Sequence, residues 1–79
     1  MGKSLPNQIV CQEGRKSPDE VWVVEIQISP AADNWVLQTD RATKALAIAE
    51  ARRIKQRLNT NGLDDMNIRV RTLPRFFLH

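Results

Sequence analysis

Hydrophobic positions along this chain change period twice. From Val21 to Ile28 they recur at every second residue. Trp22, Val24, Ile26 and Ile28 point one way; Val21, Val23, Glu25 and Gln27 point the other. That alternation predicts a strand with one face in a core. Ser29 to Asn34 reads as a turn of hairpin length, and Trp35 to Gln38 as a second strand with Trp35 and Leu37 on the inward phase. So short a connection forces antiparallel pairing. From Thr39 to Gly62 the period becomes helical. Thr43, Ala47, Ala51, Ile54 and Leu58 fall within one arc, with Leu46 on its flank. Thr39 or Asp40 is the expected cap, and Asn61-Gly62 the left-handed stop. Met66 to Leu73 alternates again, with Ile68 and Val70 inward and Arg69 and Arg71 outward, until Pro74 ends the run. Ile9-Val10-Cys11 predicts a short extra strand at an edge.

The expected fold class is α+β: a small β-β-α-β domain, with one helix packed on a three- or four-stranded, mostly antiparallel sheet. Seventy-nine residues form a single domain, 1–79, with residues 1–8 as a loose lead-in and 75–79 as an apolar tail. The outward sheet face is expected to carry Val21, Val23, Glu25, Gln27, Val36, Gln38, Arg69 and Arg71. Its valines are unusual on a solvent face and suggest a partner there.

Charge sharpens this picture. The net charge is +3, but residues 1–40 hold three basic and six acidic side chains, and residues 41–79 hold nine basic and three acidic. On the expected helix, Arg41, Lys44, Arg52 and Lys55 lie on one stripe around Ile48, at spacings that keep side chains on one side. Glu50 is the one acidic residue between positions 41 and 58, so pairing along the helix cannot neutralise the stripe. Clustered cations of this kind suit phosphates or an acidic protein surface; the alternative is a solvated face of a helix. Arg69 and Arg71 make a second basic pair, whose forks suit phosphate or carboxylate. Trp22 and Trp35 are expected in the core. Phe76 and Phe77, adjacent on an extended tail, diverge, so one docks on the core or both pack on a second subunit.

Catalytic chemistry has little to work with. The one histidine is His79 and the one cysteine is Cys11, which leaves no Ser/His/Asp or Cys/His triad with a well-held base. No metal-ligand spacing appears, and Asp64-Asp65 is the one adjacent carboxylate pair. No cofactor or metal is expected, and no enzyme activity. A solitary thiol makes no internal disulfide and fits a reducing compartment. Residues 1–10 lack the apolar core of a secretory signal, and no run approaches the roughly 18 apolar residues of a membrane span. The expected location is cytoplasmic, with no membrane partner.

The alternating strand at Val21 to Ile28, the Trp35 strand and the Thr39-Asp40 start of an Ala-rich helix cover about 40 residues. This layout resembles small β-β-β-α DNA-binding modules such as integrase arm-binding domains. The resemblance implies a DNA-reading sheet face. Here the first long strand carries Glu25 and Gln27 where such modules have outward arginines, and a further strand follows the helix.

The sequence therefore predicts a small non-enzymatic domain that contacts nucleic-acid phosphates through Arg41, Lys44, Arg52 and Lys55, with Arg69 and Arg71 as secondary contacts. The alternative is a protein-interaction module. That would be a homodimeric inhibitor, adaptor or regulator of the kind phages and mobile elements carry, meeting its partner through Ile48, Val21, Val23, Val36, Phe76 and Phe77.

Overall fold

The computed structural model describes residues 8–27, 34–63 and 66–78. Residues 1–7 of the lead-in, Ile28 and most of the hairpin turn, Asp64-Asp65 and His79 lie outside the described residues. The elements are β1 (Ile9–Cys11), β2 (Glu20–Gln27), β3 (Trp35–Arg41), α1 (Lys44–Thr60) and β4 (Ile68–Pro74), followed by a 3-10 turn at Arg75–Leu78. They form an α+β domain with one helix on a four-stranded mixed sheet of order β1-β4-β2-β3. β2 pairs antiparallel with both β3 and β4, and β1 lies parallel to β4. The chain crosses from β3 through α1 to β4, which inserts beside β2 on the side away from β3.

Side chains sort into rows across the sheet, because directly opposed residues share a face. Ile9, Ile68 and Ile26 make one row under the helix; Cys11, Val70 and Val24 make the next. Ala47, Ala51 and Leu58 of α1 close over them, with Trp22 in the same buried cluster and Ile54 and Met66 packed against it. Ala47 and Ala51 are fully buried; their small side chains let the helix sit close to the sheet. The inward faces expected for β2, α1 and β4 are the ones observed.

Three expectations change. The helix begins at Lys44 rather than Thr39, and its cap is Thr43, whose Oγ1 accepts the Leu46 N–H at 3.2 Å. Thr39, Asp40 and Arg41 stay extended because the ladder pairs them with Val24, Val23 and Trp22. Two adequate capping sites exist in sequence, and strand pairing decides between them. At the other end Gly62 adopts φ 75°, and the Leu63 N–H returns to the Leu58 carbonyl at 2.8 Å, so the expected stop is the observed one.

The second change lies in β3. Val24 faces Thr39, yet the next β2 residue, Glu25, faces Leu37, so Gln38 is an extra residue in a β-bulge. The bulge reverses the phase of the first half of the strand. Trp35 and Leu37, expected inward, oppose Gln27 and Glu25 on the face away from α1. Val36, expected on that open face, opposes Ile26 on the helix side and is 40% exposed.

The third change concerns the open face itself. Val21 and Val23, the expected contact surface, are 7% and 0% exposed. β2 is flanked on both sides, with Leu73 opposite Val21 and Arg71 opposite Val23. Short side chains standing between longer neighbours of this kind keep little surface for solvent.

Candidate functional site

The six basic residues expected to meet a ligand divide into two groups. Arg41, being on β3 after the bulge, opposes Trp22 on the helix side of the sheet. It does not belong to the helix stripe. Its Nη2 lies 3.2 Å from Glu50 Oε2, and its Nη1 donates to Thr39 Oγ1 and the Asp40 carbonyl. Lys44, in the first turn of α1, lies with Nζ 5.5 Å from the centroid of the buried Trp22 ring. This is a cation–π contact over the core. Arg69 and Arg71 are engaged with Glu25. Arg52 and Lys55 remain, and neither makes an ion pair among the described residues. Ile48, on the same flank of α1, is half-buried.

The helix nevertheless carries a basic surface, displaced toward its C-terminal half. Arg52, Arg53, Lys55 and Arg57 are four cations in six residues. At 100° per residue, Arg52 and Lys55 lie on one flank of the solvent side, and Arg53 and Arg57 on the other. The three arginines are exposed, and Lys55 is half-buried. Glu50 is the one carboxylate on the helix, and Arg41 already shares it with Arg53, the latter at 3.5 Å. A shallow open groove lined by Arg53, Gln56, Arg57, Thr60 and Asn61 continues this surface. Arg53 and Arg57 lie outside the expected site because the stripe through Arg41, Lys44, Ile48, Arg52 and Lys55 follows one flank of a helix and they stand on the other.

On the opposite side of the molecule lies a buried charge cluster. Register places Arg69 directly opposite Glu25 and Arg71 opposite Val23, one diagonal step away. Glu25 is 5% exposed. Arg71 grips it with a fork, Nε to Oε1 at 2.8 Å and Nη2 to Oε2 at 3.1 Å. Arg69 adds Nε and Nη2, each 2.8 Å from Oε1. Burial alone would raise the Glu25 pKa; the hydrogen bonds from Arg71 and Arg69, with their charges, outweigh burial and hold it below 4.5. The Arg69 guanidinium also stacks 4.2 Å from the centroid of Trp35, a contact that exists because the bulge turned Trp35 to this face.

Phe76 and Phe77 do not dock on the core. They stack on each other in the 3-10 turn with centroids 4.6 Å apart, and remain 69% and 63% exposed. The turn brings together two side chains that an extended tail would have separated. Among the described residues, no three His, Cys, Asp or Glu side chains gather into a metal-binding group, and no helix is long and apolar enough to cross a membrane. Comparisons with protein-family models, with curated proteins and with solved structures find no match.

Proposed function

We propose that this chain is a small, non-enzymatic binding domain that holds nucleic-acid phosphates against the solvent side of α1, through Arg52, Arg53, Lys55 and Arg57. The observation that carries this reading is the density of cations on the solvent side of that half of α1, where the one carboxylate on the helix, Glu50, is shared between Arg53 and Arg41 and so neutralises at most one of the four. Phosphate contacts of this kind supply affinity without base preference. The reading includes a cytoplasmic location, which the single cysteine fits.

Fluorescence anisotropy with a labelled 20-base-pair duplex and with single-stranded RNA tests it. With about four phosphate contacts, raising salt from 50 to 200 mM lowers affinity about a hundredfold. Replacing the four residues together (Arg52→Gln, Arg53→Gln, Lys55→Gln, Arg57→Gln) preserves the helical circular dichroism, since Gln is a good helix former, and weakens binding at least tenfold. A wild-type protein that binds neither probe at 50 mM salt ends the proposal.

A second reading, a self-associating protein-interaction module, rests on one feature: the stacked and exposed Phe76–Phe77 pair. Aromatic side chains of this exposure commonly anchor interfaces. If it is correct, light scattering shows a dimer that the double variant Phe76→Ser, Phe77→Ser converts to monomer. A monomeric wild type rejects it.

A further inference from the structure

The open sheet face combines two half-used guanidinium groups with aliphatic shoulders. An arginine has two edges that make paired hydrogen bonds: a side-on edge of Nε and Nη2, and an end-on edge of Nη1 and Nη2. Glu25 takes the side-on edge of both Arg69 and Arg71. Among the described residues, no acceptor meets Nη1 of either. The Glu25 side chain is 6% exposed, while those of Arg69 and Arg71 are 27% and 36% exposed. The carboxylate is therefore sealed beneath the arginines, and solvent meets guanidinium edges bearing one uncompensated positive charge. In the same row, Val10 flanks Arg69 on β1 and Leu37 flanks Glu25 on β3, at 53% and 43% exposed.

We propose that this face docks a partner protein by one carboxylate side chain, held on the end-on edges of Arg69 and Arg71, with the partner's neighbouring aliphatic side chains resting on Val10 and Leu37. Charge complementarity selects this occupant. A nucleic-acid strand carries charge at every nucleotide and is rewarded by a track of cations. This face offers a single net positive charge in the cluster, and the exposed Asp40, opposite Val23, lies on the same side. One acidic residue between apolar neighbours matches both the fork and the shoulders. Glu25 acts as a positioning residue, fixing the two guanidinium planes before the partner arrives, which reduces the ordering cost on binding. The proposal is independent of the phosphate reading, because α1 packs on the other face of the sheet.

Hexanoate, a carboxylate with an aliphatic tail, is the probe. Titrated into isotopically labelled protein and followed by NMR, it is expected to shift the Nε–H signals of Arg69 and Arg71 and the methyl signals of Val10 and Leu37 saturably. Its affinity should exceed that of inorganic phosphate at least fivefold, and hexanol should leave the arginine signals unmoved. Arg69→Lys keeps the charge but loses the fork and should weaken hexanoate at least threefold. Leu37→Ser, at an exposed position, should do the same and keeps the test available if the arginine variant unfolds. No saturable shift up to 50 mM hexanoate overturns the proposal. So does phosphate or a ten-residue oligo-dT that shifts the arginine pair as strongly as hexanoate does.

Discussion

Ile68→Ala is expected to lower the free energy of unfolding by about 3–4 kcal/mol, within the range for buried aliphatic truncations that leave a cavity. Ile68 is fully buried in the cluster under α1. It stands on β4 between Ile9 and Ile26, so its side chain touches rows contributed by both neighbouring strands. The site cannot collapse easily, because the sheet fixes the backbone on both sides. A folded chain of 79 residues has a total stability of only about 4–12 kcal/mol, so this one truncation removes a large share. The melting temperature should fall by about 15–25 °C. Urea unfolding followed by tryptophan fluorescence measures it, since Trp22 lies in the same buried cluster. Leu46→Ala is the control: Leu46 is 53% exposed on α1 and its truncation should cost less than about 0.5 kcal/mol. Equal effects at the two positions would contradict the packing of α1 over β4.

Ile68 also shows what could be read from the chain alone. Its alternation with Val70, and that of Trp22, Val24 and Ile26, carries the two-residue period in plain form, and both strands face the core as that period requires. The helix face of Ala47, Ala51, Ile54 and Leu58 was equally legible. β3 was not, because the bulge at Gln38 leaves no glycine or proline as a marker. One extra residue exchanged Trp35 and Leu37 for Val36 on the helix side, while Arg41, beyond the bulge, is held in the strand opposite Trp22 and so leaves the expected helix stripe. Local pattern could not reveal this, since a shift of one residue changes the face of every side chain beyond it.

The cluster on the open face was legible in part. Alternation assigned Glu25, Arg69 and Arg71 to one face, which is where they lie. Strand order and register were missing. Only when β4 inserts next to β2, with Arg69 opposite Glu25, does a glutamate more than 40 positions from both arginines join them in one network. The basic residues of the expected site differ from the observed surface for a related reason. Exposure on a helix wheel says nothing about carboxylates or aromatic rings that the tertiary fold brings alongside, and Glu25, Glu50 and Trp22 hold four of the six.

Glu25→Gln is expected to destabilise the protein by about 2 kcal/mol at pH 7, below the 3–5 kcal/mol typical of a broken buried pair because both arginines can turn to water. Glutamine keeps the shape of the side chain, so the loss reports its charge. The pH dependence gives the sharper signature. Glu25 has a folded pKa below 4.5, so the folded state favours its ionised form. The stability this contributes is complete above the unfolded pKa and is lost as pH falls through the lower folded value. The difference between wild type and Glu25→Gln should therefore stay constant from pH 7 to about pH 5.5, then shrink as pH falls below 4.5, because a protonated glutamate resembles glutamine. Urea unfolding at half-unit pH intervals measures it. Glu50→Gln serves as the comparison. The Glu50 side chain is 25% exposed and pairs with two arginines at 3.2 and 3.5 Å, and exposed ion pairs contribute only about 0–1 kcal/mol. A Glu25→Gln deficit no larger than that of Glu50→Gln, or one that persists unchanged at pH 3, would mean that the two arginines do not hold this carboxylate in its charged form.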